Sequence, residues 1–258
     1  MECDGVMRNA PVKLERTGNK VAVTAFINFK GNYADKRLDT GYTYGEAAAA
    51  SIETKWSGDF LIYGRKINVV TKVFSNSTSP NNVLKPAICS NGQRFLTIKI
   101  IGGTIASKIM RSHEKLSWIG ILKNDETITS WSITKSSNPI VIYVTENFQG
   151  NNPYKLIDKS SFEGLVAHEF GHALGLGDAY NAGYRGGKFP WSLDGLYAPG
   201  NYEVRDKTGK AFSVSVPNDD MMIYNGKVSD NDMRMVLEAY ATGVQQLFPC
   251  GSRDWKNR

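Results

Sequence analysis

Short runs of apolar, largely β-branched residues recur along the chain between polar and turn-forming residues, and such runs are typical of β-strands. The runs predicted to be strands are 12–15, 21–29, 66–74, 94–101 and 140–145. Thr17-Gly18-Asn19 separates the first two, so these are expected to form a hairpin. Strands that alternate with helices favour an α/β sheet.

Two segments have the composition or the period of helices. Residues 45–56 are rich in alanine, and the following Ser57-Gly58 is expected to end a helix. Residues 230–242 have helical periodicity, with Asp230 as a candidate cap. The apolar residues that share one face of this second helix are Met233, Val236, Leu237 and Tyr240.

A third helix is predicted over residues 160–176. Ser160 or Ser161 is its candidate N-cap, and Gly175 is expected to end it because glycine adopts the left-handed conformation readily. Residues 181–218 are rich in glycine, proline and aromatic residues and are expected to be irregular.

Composition is that of an ordinary globular protein. The 258 residues include 41% hydrophobic and 22% charged residues, and no apolar run reaches the roughly 20 residues that a membrane-spanning helix requires. The net charge of +6 comes from interspersed basic residues rather than a basic block, which disfavours nucleic-acid binding. The three cysteines (Cys3, Cys89 and Cys250) leave the redox compartment open, and residues 1–11 lack the apolar centre of a secretory signal.

His168 and His172 carry the clearest chemical signal in the chain. Residues four apart share one helical face, so both imidazoles are able to reach a single zinc ion at about 2.0–2.1 Å. Glu169 then lies beside the metal, where a carboxylate takes a proton from water and returns it to a leaving amine. Gly171 and Gly175 weaken a helix by about 1 kcal/mol each relative to alanine, so close packing or a turn is the better explanation for them.

Two histidines do not complete a catalytic zinc site, which usually has three protein ligands. His113 is the only other histidine and lies in a strongly polar stretch, so it is a poor candidate. Asp178 is the better one, because Gly175 is able to turn the chain back toward the metal.

The string from His168 to Asp178, His-Glu-x-x-His-x-x-Gly-x-x-Asp, resembles the signature of the metzincin clan of zinc metallopeptidases. Most members have histidine as the third ligand, and aspartate occurs in the snapalysin-like branch. The later Asp-Asp-Met-Met-Ile-Tyr looks like the methionine turn of the clan, with Met222 as its methionine. Tyr224 matches a tyrosine that some members place near the zinc, either as a ligand or to stabilise the oxyanion.

The resemblance implies a metzincin-like α/β (α+β) fold, with a twisted mixed sheet, an active-site helix, a methionine turn and a C-terminal helix. It implies one metallopeptidase domain over 1–258, in which 1–30 form strands or a hairpin, 31–180 the sheet and active-site helix, and 181–258 a C-terminal subdomain. The implied activity is zinc-dependent hydrolysis of peptide bonds in proteins by metal-activated water. One catalytic zinc ion is expected, calcium is left open, and secretion is implied.

The expected partner is a protein or peptide substrate, with an inhibitor or immunity protein left open. Residues 228–239 also look like the end of peptidase domains carried by bacterial Rhs/YD-repeat toxins. Two alternatives are a zinc amidase that acts on cell-wall or other non-protein amides, and a toxin or binding module that retains the zinc fold. An intact Glu169 argues against the binding module, since binding alone does not require a general base.

Overall fold

A computed structural model describes residues 11–75, 95–102, 140–146, 155–156, 158–176, 200–205, 211–216, 220–224, 226–242, 246–247 and 251–252. The helices are α1 (Tyr44–Lys55), α2 (Lys159–Ala173), α3 (Met221–Tyr224) and α4 (Asp230–Thr242). The strands are β1 (Val12–Thr17), β2 (Lys20–Lys30), β3 (Gly58–Ile62), β4 (Arg65–Ser75), β5 (Leu96–Ile101), β6 (Ile140–Tyr143), β7 (Thr145–Glu146), β8 (Lys155–Leu156), β9 (Gly200–Arg205), β10 (Ala211–Val216), β11 (Gln246–Leu247) and β12 (Gly251–Ser252).

A mixed sheet of six strands forms the framework. Its strand order is β3-β4-β2-β5-β6, and β1 pairs with β2 beside that path. β2 is parallel to β4 and to β5, and β5 is parallel to β6, whereas β1–β2 and β3–β4 are antiparallel hairpins. The predicted α/β fold with a twisted mixed sheet is therefore confirmed.

The core lies between the sheet and helices α1 and α2. Alternate residues of β2 are buried, as the period of two requires for a strand with one face on the core. Ala48 and Ile52 of α1 and Phe162 and Phe170 of α2 belong to the same buried cluster. The sheet therefore supports α1 and α2 on a common apolar layer.

Helix α4 has the predicted bounds, whereas α2 begins at Lys159 with a different N-cap from the predicted one. The N-cap of α2 is Asp158 rather than Ser160 or Ser161, since its carboxylate accepts hydrogen bonds from the backbone N–H and the hydroxyl of Ser161. These hydrogen bonds lower the pKa of Asp158 to about 2. An ionised carboxylate is the stronger acceptor, and it also suits the positive end of the helix dipole.

Asp230 does not cap α4 as predicted. Ser229 and Asp232 form a reciprocal pair there, in which the Ser229 hydroxyl accepts from the N–H of Asp232 and the Asp232 carboxylate accepts from the N–H of Ser229. The carboxylate of Asp230 instead accepts from the N–H of Leu61 in β3, so it ties the helix to the sheet.

Several antiparallel strand pairs were not predicted, among them β9–β10 and β3–β4. The expectation of irregular structure over 181–218 is wrong where β9 and β10 pair as an antiparallel hairpin. β3 pairs with β4 across the turn Tyr63-Gly64, in which both residues have positive φ (51° and 72°). Such a turn usually contains asparagine, aspartate or glycine first, so tyrosine gave no hairpin signal.

None of the helices in these described ranges has both the length and the apolar character that crossing a bilayer requires.

Candidate metal centre

Helix α2 presents His168, Glu169 and His172, and all three residues are buried. The two imidazole rings lie one helical turn apart, with centroids 5.1 Å from each other and planes at 81°. The structure therefore brings these histidines together on one face, as their spacing predicts.

Each histidine ring is held by a backbone carbonyl. Nδ1 of His168 lies 2.8 Å from the carbonyl oxygen of Met221, and Nδ1 of His172 lies 2.9 Å from that of Leu176. A carbonyl only accepts, so each Nδ1 carries the proton and donates, and each Nε2 has the lone pair. Histidines that ligate metals are typically oriented in this way, so the donor set fits an ion that takes neutral imidazole nitrogen, such as zinc.

Helix α1 fixes the position of α2 through polar contacts as well as packing. The indole N–H of Trp56, which follows α1 directly, donates to the carbonyl of Ala167 at 2.9 Å in a buried environment. The hydroxyl of Ser51 donates to the carbonyl of Glu163 at 2.6 Å. Both acceptors belong to the turns just before His168, so these two hydrogen bonds fix the position of that part of α2 against α1.

The end of α2 confirms the predicted role of Gly175. Gly175 has φ of 96°, the N–H of Leu176 donates to the carbonyl of Gly171, and the N–H of Gly175 donates to that of His172. These are the hydrogen bonds of a Schellman motif, which requires a left-handed residue at this position. The motif directs the chain so that the carbonyl of Leu176 meets the ring of His172.

Met222 lies beneath the helix, in α3. It is fully buried, and a Cβ built on Gly171 would stand 2.5 Å from its sulfur and 3.0 Å from the ring of Trp56. Close packing is therefore the explanation for Gly171. The N–H of Met222 donates to the carboxylate of Asp220, which fixes the start of this turn.

The chain on either side of α3 is also tied together. The N–H of Met221 donates to the carbonyl of Lys227 at 2.7 Å, and the ammonium of Lys55 donates to the carbonyl of Gly226 at 3.0 Å. Because the carbonyl of Met221 is the acceptor for His168, these contacts position one of the two histidines indirectly.

A buried acidic pair lies behind this turn. Asp220 and Asp232 are both fully buried. Burial raises the pKa of Asp232, and the nearby negative charge of Asp220 raises it further, against the opposing effects of the hydrogen bonds from Ser229 and the charge of Arg234. Sequence reasoning missed this pair, because acidic residues near a helix start are usually solvated caps.

Gly171→Ala is expected to lower the free energy of unfolding by up to about 2 kcal/mol. Alanine improves helix propensity by about 1 kcal/mol, but the overlap with Met222 and Trp56 costs about 1–3 kcal/mol in a packed core, and the rigid indole cannot move aside. Urea unfolding of the zinc-free protein would measure the change.

A double-mutant cycle with Met222→Ala isolates the cause, since that substitution removes the sulfur which the new methyl group meets. The double variant should lose less stability than the sum of the two single variants. Strictly additive losses would show that Gly171 is present for another reason.

Other predicted site residues are not placed. Asp178 lies outside the described residues, as do His113 and the three cysteines. Tyr224 belongs to α3 by its backbone, but its side chain is outside the described part. Within the described ranges, no group of three or more His, Cys, Asp or Glu side chains forms a metal site.

A buried histidine pair on one helical face, oriented by carbonyls and accompanied by a buried glutamate, has the composition of a metal-dependent hydrolase centre. A family model described as the catalytic domain of immune inhibitor A peptidase M6 matches residues 135–222, about a third of the chain. The matched range contains α2 and Asp178 and ends at Met222, and it supports a metallopeptidase. Comparison with curated proteins and with solved structures gives no significant match.

Proposed function

We propose that this protein is a zinc-dependent endopeptidase. The observation that carries the proposal is the pair of buried histidines on one face of α2, each with its Nδ1 held by a backbone carbonyl. Ordering and burying two polar rings is unfavourable in free energy, so the arrangement needs a functional reason. Fixing each Nδ1 orients the two Nε2 atoms to bind one ion. The family match over 135–222 supports the same reading, because it names a peptidase catalytic domain.

His168 and His172 are proposed to hold zinc together with Asp178. Gly175 redirects the chain at the end of α2, and Asp178 follows Leu176 by two residues, so its carboxylate is close to both histidines along the chain. A third ligand of this kind leaves an open coordination position for substrate or water. Zinc, when bound, supplies Lewis acidity for the scissile carbonyl and the attacking water.

Glu169 is proposed as general base and then general acid. It follows His168 directly on α2 and is buried, so its carboxylate moves a proton where bulk water does not compete. The proton that it accepts from water is returned to the leaving amine. Tyr224 is proposed to stabilise the oxyanion, because its phenol would donate to developing negative charge.

Met222 is proposed to be the methionine of a metzincin-type turn. Its sulfur packs against Gly171, and the carbonyl of the preceding residue, Met221, orients His168. The turn therefore contacts α2 and positions one of the two histidines. Membership of the metzincin clan, a single domain over 1–258, secretion and a toxin role of the Rhs/YD-repeat kind also remain proposals, which rest on the sequence resemblance.

Metal analysis together with casein cleavage tests the proposed function. Purified wild-type protein should contain close to one zinc per chain, and its cleavage of casein should stop with a chelator and return with added zinc. Asp178→Ala should lose bound zinc and activity together. Zinc-free protein that still cleaves casein would contradict the proposal, and activity on cell-wall peptides without activity on casein would favour an amidase.

A further inference from the structure

We propose that strands β11 and β12, here called the C-terminal segment, form an outer part of the metal centre. Through Gln246 this segment fixes the carbonyl of Leu176, which orients His172. Gln246 is thus a positioning residue that acts through its backbone. The inference rests on the proposed function, since it concerns the ligand role of His172.

The carbonyl of Leu176 lies beyond the end of α2. Carbonyl groups in the last turn of a helix and just past it have no intrahelical partner, so the helix alone does not fix their direction. The Schellman hydrogen bonds of Gly175 and Leu176 use their N–H groups and leave their carbonyls to other partners. Another element must therefore hold the peptide plane that faces His172.

Strand β11 supplies that element. The N–H of Gln246 donates to the carbonyl of Gly175 at 2.9 Å, and Leu176 pairs with Gln246 as an isolated parallel bridge. The contact therefore spans Gly175 and Leu176, which are two of the five residues between His172 and the proposed ligand Asp178. Fixing them fixes the Leu176 carbonyl at 2.9 Å from Nδ1 of His172.

Burial makes this contact hard to replace. Leu176 is fully buried and Gln246 is 1% exposed, so solvent does not take over the hydrogen bond when the strand leaves. β11 also pairs with β12 and packs against α4, so the C-terminal segment reaches the site as part of a folded unit.

The two histidines are supported in the same manner. The carbonyl that orients His168 belongs to Met221, whose chain is held by the bridge between Asp220 and Lys227. The carbonyl that orients His172 belongs to Leu176, which is held by the bridge to Gln246. Each ring therefore depends on one isolated β-bridge, and the second of these comes from the C-terminal segment.

It follows that zinc binding and docking of the C-terminal segment are coupled in free energy. If docking of β11 favours the orientation of His172 that binds zinc, then zinc must favour docking of β11 by the same factor. Loss of the outer partner of a metal ligand typically weakens metal binding by about 10–100-fold. The effect should appear in zinc affinity and not only in stability.

Gln246→Pro tests the inference in the full-length chain, because proline removes the N–H that donates to Gly175. Zinc affinity, measured by competition with a chelator, is expected to fall by about 10–100-fold relative to wild type. The matched control is Leu247→Ala. This substitution in the same strand leaves every backbone N–H of β11 in place, so its zinc affinity should stay within a few-fold of wild type.

The unfolding midpoint of the zinc-free proteins separates positioning from general stability. A purely structural role would lower the midpoint and the zinc affinity of both variants alike. That result, or a Gln246→Pro variant with wild-type zinc affinity, would overturn the inference. Wild-type protein that binds no zinc would overturn the proposed function and the inference together, whereas zinc-binding wild type with an unaffected Gln246→Pro overturns the inference alone.

Amide hydrogen exchange in wild-type protein gives a second test that needs no variant. Exchange at Gln246 should slow when zinc is added to the stripped protein, while exchange at Thr17, at the exposed turn end of the β1–β2 hairpin where amides exchange by local fraying, should not change. Equal exchange at Gln246 with and without zinc would contradict the coupling even if the proline variant fails to fold.

Discussion

Glu169→Gln is expected to keep zinc bound and to lower kcat for casein cleavage by about 10²–10⁴-fold, the range that a general acid–base group contributes. Glutamine has nearly the same shape as glutamate, so the packing of this buried residue in α2 is preserved. It has no carboxylate to accept the proton of the attacking water, and it does not protonate the leaving amine. Zinc content and kcat on the same preparation check both halves of the expectation.

Glu163→Gln is the matched control for that variant. Glu163 belongs to the same helix, but it is partly exposed and pairs with Lys159 at 3.4 Å near the start of α2. The same substitution there should leave zinc content and kcat close to wild type, since exposed ion pairs contribute little. Normal turnover in Glu169→Gln would exclude this residue as the base, and equal losses in both variants would indicate a defect of the helix.

The β1–β2 hairpin and α1 could be predicted because their signals are local. The β1–β2 hairpin has a glycine turn between two apolar runs, and α1 has an alanine-rich sequence. β9 and β10 were not predicted, because the high glycine and proline content of 181–218 as a whole indicated irregular structure. Within that segment Tyr202 and Val204 alternate with polar residues, which is the local signal of a strand.

The shared helical face of His168 and His172 could also be predicted from a local signal, because residues four apart in a helix lie on the same face. Gly175 was also predictable, since its left-handed conformation is a property of the helix end. Glycine at 171 was expected to serve either close packing or a turn, and the structure shows close packing. Its partners Met222 and Trp56 could not be predicted, because they come from distant parts of the chain.

The carbonyls that orient the rings could not be predicted from sequence. Every residue has a carbonyl, so the roles of Met221 and Leu176 leave no trace in residue type. The contact of Gln246 with Gly175 is likewise a backbone contact made by tertiary structure. The residues that ligate and react could be proposed from the motif, whereas the residues that hold them in place required the fold.

His172→Ala is expected to abolish both zinc binding and casein cleavage. The substitution removes one of the two proposed ligands on α2 and also the ring that links the helix to the carbonyl of Leu176. Added zinc should therefore stop stabilising the protein. At a zinc concentration about 100-fold above Kd, wild type gains about 2.7 kcal/mol of unfolding free energy, and the variant should gain close to none.

Thermal unfolding with and without zinc measures this difference, and His113→Ala is its control. The sequence around His113 is strongly polar and distant from the motif, so that variant should keep the zinc-dependent rise in Tm and the activity of wild type. If His172→Ala kept the rise and His113→Ala lost it, His113 would be the ligand. Loss of the rise in His172→Ala alone would place the metal on α2, where the two rings are already oriented by backbone carbonyls.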